Sequence, residues 1–351
     1  MEKTPTLVDV ANLAGTSKST AARVFSRNKS TNVKEETKVR VIEAAQRLGY
    51  EPNRQAASLR SKKTYLIGLC VHDITNPSSP SLIRGIQDEL ELRGYDLVVF
   101  NNDWDPIKEK RNLQAVTRNQ FDGLILSSPS QDLSIDELPN IPTVLLTGDH
   151  KLARFLNTIN TDTAGGVKEA LNYLYSLGHR RIGLLLGGSV SQITNRSQAY
   201  YDFYQEAGLK VEESLIANVP FKVRASETFE LAKELIRRIV RDTNKPTAIF
   251  ASNDILGLAT LQIAQSEGIS IPEDLSVVGM DELFSAETAS PPLTSVFKRR
   301  FEVGKRAASN LIEQIQFWSG SPSRPVPKHE VVKCSLIIRG SCAPISKNMT
   351  A

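Results

Sequence analysis

Cysteine is scarce in this chain. Only Cys70, Cys334 and Cys342 occur in 351 residues, an odd and widely spaced set that excludes a disulfide framework and suits a reducing compartment. Long apolar runs are missing too. None approaches the roughly 18 residues of a membrane span, and the opening MEKTPTLVDV has neither the apolar core nor the small-residue cleavage site of an export signal, so a cytoplasmic location without a membrane partner is expected. Four histidines, His72, His150, His179 and His329, are scattered without metal-ligand spacing. Neither a phosphate-binding glycine loop nor a nucleophile elbow is present. No metal, cofactor or enzymatic chemistry is therefore expected. What remains, with 40% hydrophobic and 23% charged residues, is an ordinary globular composition with room for one small domain of about 60 residues and a larger body.

Charge is unevenly placed. The net charge is +4, yet the first 63 residues hold 13 Lys and Arg against 6 Asp and Glu, and the remainder is slightly acidic. A basic segment on an otherwise acidic chain is the electrostatic footprint of a nucleic-acid-binding head.

The same segment carries helical periodicity. Leu7, Val10, Ala11 and Ala14 fall on one helical face. Gly15 offers the permissive backbone of a tight turn, and Ser17 is a good N-cap for a second helix. That helix buries Ala21, Val24 and Phe25 and leaves Lys18, Ser19, Ala22 and Arg23 to a partner. A third helix is expected from about Lys34 to Leu48, with Val41, Ala45 and Leu48 inward and Gly49 as its stop. Three short helices around one small core make a helix-turn-helix head, whose second helix enters the DNA major groove.

In these residues the segment resembles the head of the LacI/GalR family of bacterial repressors: Leu7, Asp9, Val10, Ala11, Ala14, Gly15, Ser17, Thr20, Arg23 and Val24, then Glu35, Glu36, Thr37, Leu48, Gly49, Tyr50, Pro52 and Asn53. The resemblance implies base reading by Lys18, Ser19 and Arg23, with Ser17 and Thr20 at the helix start against phosphates. An Arg fork pairs with guanine O6 and N7 together. Ala22 stands where the family often has serine, and Lys34 replaces its usual serine cap. Residues 53–60, NRQAASLR, match the family's hinge helix, from Asn53 to a leucine wedge, Leu59, which inserts into the minor groove. Off DNA, eight residues are too few for a stable isolated helix.

From Thr64 the chain alternates apolar runs with helix-length stretches: YLIGLCV, YDLVVFN, DGLILS and PTVLLT, then RIGLLLG, TAIFAS and LSVVGM. Short apolar strands between helices imply parallel sheets covered on both faces, here in two lobes. The layout resembles the periplasmic-binding-protein-like core of the same family through GYDL, FDGLIL, LGHRRIG, ASND, IPEDLSVVGMDE and SPPLT. The expected fold class is thus an all-α helix-turn-helix head joined by a hinge helix to an α/β core of two parallel-sheet lobes. The expected boundaries are a head at 1–50, a hinge and linker at 51–63, a core at 64–341 and a tail at 342–351. Within the core, one lobe is expected at 64–161 plus 293–325 and the other at 162–292 plus 326–341.

Ligands of such folds bind between the lobes. The resemblance places Asp162, Arg196, Asn253 and Asp281 at effector-contact positions, with Phe221 as an aromatic packing partner. Asp162 and Asn253 also read as helix N-caps, Arg196 as a surface ion-pair partner and Phe221 as core. NPSSPS at 76–81 departs from the family, which usually has two aromatics after Asn-Pro. Ser78 and Ser79 would instead use hydroxyls and free helix N-terminal amides to hold an anionic or strongly hydrogen-bonding group.

The expected partners are near-palindromic operator DNA, a small effector of the sugar or sugar-derivative class, and a second copy of the chain. The tail CAPISKNMTA has no leucine heptad, so a homodimer is expected. A repressor at the nucleoid is the reading favoured by all of these. The rivals are a periplasmic solute-binding protein, which gives residues 1–63 no purpose, and a sugar-processing enzyme with an accessory DNA-binding head, for which no catalytic base can be picked out.

Overall fold

The computed structural model describes residues 5–25, 33–51, 63–127, 129–147, 149–187, 195–219, 225–241, 245–318 and 326–345. They fall into two compact units, Met1–Leu66 with Gln120–Asp122, and Ile67–Asn119 with Gly123–Ala351.

The described residues of the head form three helices, α1 (Leu7–Leu13), α2 (Lys18–Val24) and α3 (Glu35–Leu48). A capping box starts α1: the Thr6 side chain accepts from the Asp9 amide while the Asp9 carboxylate accepts from the Thr6 amide at 2.8 Å. Gly15, at φ 62°, reverses the chain into the turn. Ser17 then caps α2 by accepting from the Thr20 amide at 3.1 Å. Lys34 gives α3 no side-chain cap, so its open amides are served instead by the charges of Glu35 and Glu36 in the first turn. Gly49 closes α3 in the left-handed conformation, φ 61°. Val10, Ala11, Ala14, Ala21, Val41, Ala44 and Ala45 form the core, with Leu7, Val24, Phe25, Leu48 and Tyr50 around it. Small residues at the centre let three short helices approach closely.

The body contains two six-stranded sheets. In the first the order is β11 (His329–Val332), β5 (Asn157–Thr161), β4 (Thr143–Leu145), β3 (Gly123–Leu126), β1 (Leu66–Val71) and β2 (Asp96–Asn101). In the second it is β12 (Ser335–Ile337), β10 (Thr294–Phe297), β9 (Ser276–Met280), β8 (Ala248–Ala251), β6 (Ile182–Gly187) and β7 (Ile216–Val219). The strands from β11 to β1, and those from β10 to β7, run parallel; β12 is antiparallel to β10.

Burial on both faces explains the continuous apolar strands. In the second sheet Leu184, Phe250 and Val278 join one core cluster, while their neighbours Leu185, Ile249 and Val277 join the other. Successive side chains point to opposite faces, so an all-apolar strand needs a helical layer on each. The flanking helices are α4 (Ser79–Leu92), α5 (Pro106–Arg118), α6 (Thr163–Ser176), α7 (Asn195–Glu206), α8 (Ala225–Arg241), α9 (Asp254–Ser266), the short α10 (Phe284–Glu287) and α11 (Arg300–Phe317).

The lobe boundaries differ from the expected ones. Strand β10 at 294–297 lies in the second sheet, not the first lobe, because it pairs in parallel with β9, Val296 opposite Met280. Strand β11 at 329–332 lies in the first sheet, paired with β5, not in the second lobe. The chain therefore changes sheets after β5, between β10 and β11, and between β11 and β12. Strand assignment here follows long-range pairing, which a run of four residues does not reveal.

The crossover after β10 feeds α11, which lies closely against α4. A Cβ on Gly85 would lie 2.9 Å from the Phe301 carbonyl carbon and nearer still to its oxygen; one on Gly304 would lie 3.0 Å from the Ile86 amide nitrogen and overlap the Leu82 oxygen. Only glycine fits at these two positions, and the contact fixes where α11 begins.

Candidate functional site

In the head, the start of α2 gathers hydroxyls and cations. Ser17 Oγ lies 2.8 Å from Ser19 Oγ and 2.9 Å from Thr20 Oγ1. Lys18, Ser19 and Arg23 are exposed, while Ala21 of the same helix is fully buried. One face is anchored and the other presents one donor fork and one ammonium. Asn53 and Leu59 lie outside the described residues.

In the body, Asp162, Asn253 and Asp281 sit just beyond the C-terminal ends of parallel strands, the position from which open α/β sheets bind ligands, and Arg196 lies in the first turn of α7. Asp162 follows β5 and caps α6, its Oδ1 accepting from the Gly165 amide at 2.9 Å. Asn253 follows β8 and caps α9, accepting from the Leu256 amide at 2.9 Å. Both thus act as N-caps, the structural role their positions also allowed. Asp281 follows β9. Phe221 lies outside the described residues, but Asn218 at the end of β7 keeps its Oδ1 buried with no partner among the described residues.

Ser78 and Ser79 do not offer what was expected of them. The Ser78 amide and hydroxyl both donate to Asn76 Oδ1, at 3.0 and 2.9 Å. The Ser79 amide donates to the Asn76 carbonyl at 2.9 Å and its hydroxyl to the Asp73 carbonyl at 3.1 Å. All four protons point into the local turn. What is left is acceptor lone pairs, the wrong polarity for an anion.

Arg196 is half-buried rather than exposed. It lies in one electrostatic environment with Asp281, Lys298 and Arg300, each of which perturbs its neighbours' ionisation. Lys298 Nζ donates to Asp281 Oδ1 at 2.9 Å, with side-chain exposures of 4% and 12%. Burial pushes the Lys298 ammonium down to about 7; the charges of Arg300 and Arg196 add to this and Asp281 opposes it. Burial acts on Asp281 in the raising direction, but Lys298, Arg300 and Arg196 together outweigh it and hold the carboxyl below the usual range. The backbone bends to place this carboxylate: Asp281 and Glu282 both have positive φ, 127° and 66°. The Asp281 amide donates to the Val296 carbonyl at 3.0 Å, and Glu282 pairs with Arg339.

His72, at the end of β1, belongs to the same environment. Burial pushes its imidazole down to about 4, with the charge of Arg300 adding, so it is neutral near pH 7. Its Nδ1 and the Nε of Arg300 are buried with no partner among the described residues. The Trp104 ring stands 3.8 Å from the His72 ring, centroid to centroid, supplying an aromatic near a lobe edge where NPSSPS supplies none. Across the lobes, Asn195 Nδ2 donates to Asp149 Oδ2 at 2.7 Å.

Lys298, Arg300, His72 and Trp104 were not among the residues expected from the sequence. For the first two a signal existed: the run FKRR at 297–300 puts three cations where a helix starts, the end at which acids are normally favoured. His179, by contrast, is structural, its ring bridging Thr247 Oγ1 at 3.0 Å and the Ala343 carbonyl at 3.1 Å.

A helix-turn-helix head on a two-lobed body with polar residues at the strand ends defines a class, that of effector-responsive DNA-binding proteins. Residues 6–53 match the model of bacterial regulatory proteins of the lacI family, and residues 171–342 match the periplasmic binding protein-like domain. Over 348 residues the chain is 32% identical to the HTH-type transcriptional regulator DegA of Bacillus subtilis, covering 97% of this chain and 99% of that protein. It is 30% identical to the HTH-type transcriptional repressor CytR of Escherichia coli, covering 97% of each. Among solved structures, the transcriptional regulator CelR-cellobiose complex superposes with a TM-score of 0.69 at 27% identity, over 96% of this chain and 99% of that one. The chain belongs to the lacI family of bacterial regulatory proteins.

Proposed function

We propose that this protein is a transcriptional repressor that reads a near-palindromic operator as a homodimer and releases or grips it according to a small effector held between the lobes. The observation that carries the reading is the geometry of α2. Ser17 fixes its start, Ala21 anchors its inner face, and Lys18, Ser19 and Arg23 stand exposed on the outer one. Two such heads related by a two-fold axis would address half-sites about one helical turn, or a multiple of it, apart. Asn53 and Leu59 would follow α3 into the minor groove. In the body, Asp162, Arg196, Asn253 and Asp281, with Phe221 beside them, are the proposed effector contacts. The cellobiose held by CelR supports a sugar-type ligand, and the names of DegA and CytR support a regulator over a solute carrier or an enzyme.

Selection of the full-length protein on random duplex DNA across a salt series tests the reading. A two-half-site consensus is expected. Arg23→Ala should relax one base position by about 1–3 kcal/mol. Binding that fades with salt and enriches no sequence would reduce the head to phosphate contacts.

A further inference from the structure

Taking the interlobe site proposed above as the effector site, we propose that the effector is anionic. It is a polyhydroxylated molecule whose phosphate or carboxylate group is bound by Lys298 and Arg300, with Arg196 opposite.

The argument begins with charge. Three cations, the buried Lys298 and the half-buried Arg196 and Arg300, all act upon one carboxylate, Asp281. The other nearby acids are engaged elsewhere. Asp73 accepts from the Thr75 amide and hydroxyl, at 2.8 and 2.6 Å. Asp162 caps α6, Glu282 pairs with Arg339, and Asp254 accepts from Ser295 Oγ and the Leu283 amide, at 2.6 and 2.7 Å. Burying surplus positive charge costs several kcal/mol per ion unless an anion compensates it.

The placement strengthens the case. Lys298, Arg299 and Arg300 follow one another into α11, an 18-residue helix whose N-cap, Arg299 at φ 47°, makes no side-chain capping bond. Cations at a helix N-terminus oppose its dipole, whereas an anion is favoured there by both the dipole and the open amides. The Arg300 Nε, buried without a partner among the described residues, is a donor lacking an acceptor. A phosphate or carboxylate oxygen satisfies it, and guanidinium suits both groups through paired N–H donors. The neutral His72, its Nδ1 also without a partner among the described residues, serves the uncharged hydroxyls. Arg300 leads into a helix of the first lobe and Lys298 follows a strand of the second, so one anion would touch both.

The test uses the full-length protein and three probes at fixed ionic strength: inorganic phosphate, D-gluconate and D-glucose, read by thermal denaturation and calorimetric titration. At least one anion is expected to stabilise the protein more than chloride does, with glucose weaker than that anion. Arg300→Gln and Lys298→Gln should each weaken anion binding about tenfold or more, the scale of one charge-assisted hydrogen bond, and weaken it more than they change the glucose response. Arg300→Lys should retain part of the effect, which guards against a variant that fails to fold. A response to phosphate alone identifies a phosphate ester, and one to gluconate alone a sugar acid. Anions no better than chloride, or variants that respond like the parent, overturn the proposal. Operator selection with the same variants separates the two readings: an enriched operator released by a neutral sugar keeps the regulator and removes the anion.

Discussion

Replacing Gly304 by alanine should destabilise the body although alanine is the better helix former. In an open helix the exchange gains about 1 kcal/mol. Here the new methyl would overlap the Leu82 carbonyl oxygen and stand 3.0 Å from the Ile86 amide nitrogen. Both are backbone atoms of α4, so neither can swing aside. Nor can α11 rotate away, because Val303, Ala307, Ala308, Leu311 and Ile312 hold its other positions in the core. Overpacking against a rigid neighbour costs about 3 kcal/mol at the upper end of its range, leaving a net loss of about 2 kcal/mol. At about 2 °C per kcal/mol for a large domain, the melting temperature should fall by about 4 °C, measured by scanning calorimetry. Arg300 lies one turn earlier on the same helix, so the displacement should also reduce stabilisation by whichever anion the parent binds. An unchanged or raised melting temperature would mean that propensity acts unopposed and that the two helices are not held at this distance.

Three further outcomes follow from the buried charges and the caps. Asp281→Asn removes the one carboxylate among Lys298, Arg196 and Arg300, and should cost about 3–5 kcal/mol in chemical denaturation, as breaking a buried pair does; partial rescue by added phosphate or gluconate is expected, and a loss below 1 kcal/mol would refute the pairing. Burial holds Lys298 at about 7 against an ordinary 10.5, with Asp281 opposing and Arg196 and Arg300 adding. The unfolded chain therefore binds the extra proton between those values, and the stability of the parent relative to Lys298→Gln should rise by about 1.4 kcal/mol per pH unit across that window. A flat difference between pH 7.5 and 9.5 would show Lys298 to be charged throughout. Ser17→Ala should cost the head about 1 kcal/mol by uncapping α2, lowering operator affinity more than the stability of the body; equal losses in both units would contradict that separation.

Much of this architecture was legible because local and global signals coincide. The stops at Gly15 and Gly49 and the cap at Ser17 are chemical requirements of the backbone, so the head could be read residue by residue. Strands such as RIGLLLG and LSVVGM are apolar because both their faces are covered, which the sequence reports directly. Strand β5, NTINT, was not legible: its polar residues take part in specific bonds, such as Thr158 Oγ1 with His329 Nδ1 at 3.0 Å and Asn157 Nδ2 donating to Asn310 Oδ1 at 2.8 Å, rather than in an apolar run. The sheet membership of β10 and β11 differs from the expectation for a related reason, since pairing partners 16 or 171 residues away leave no local mark. In the site, Asp162 and Asn253 were found by position, yet their capping bonds show how far a positional match underdetermines a role.

The serines at 78 and 79 and the cations at 298 and 300 show where that underdetermination resolves. The sequence suggested an anion at the start of α4, whereas the proposal above places one at the start of α11. At α4 the leading amides are taken by Asn76, and each hydroxyl proton points inward. At α11 no side chain caps the helix among the described residues, three cations crowd it, and a buried Arg300 donor has no acceptor among the described residues. A helix N-terminus is an anion site only if its donors are not already satisfied, and that depends on turns formed a few residues upstream. The choice also has a mechanical consequence within the proposed function. α4 lies wholly in the first lobe, whereas residues 298–300 are themselves a crossover between sheets. A charge bound there would act on one of the three connections between the lobes, and a ligand alters an equilibrium only by favouring one of its states.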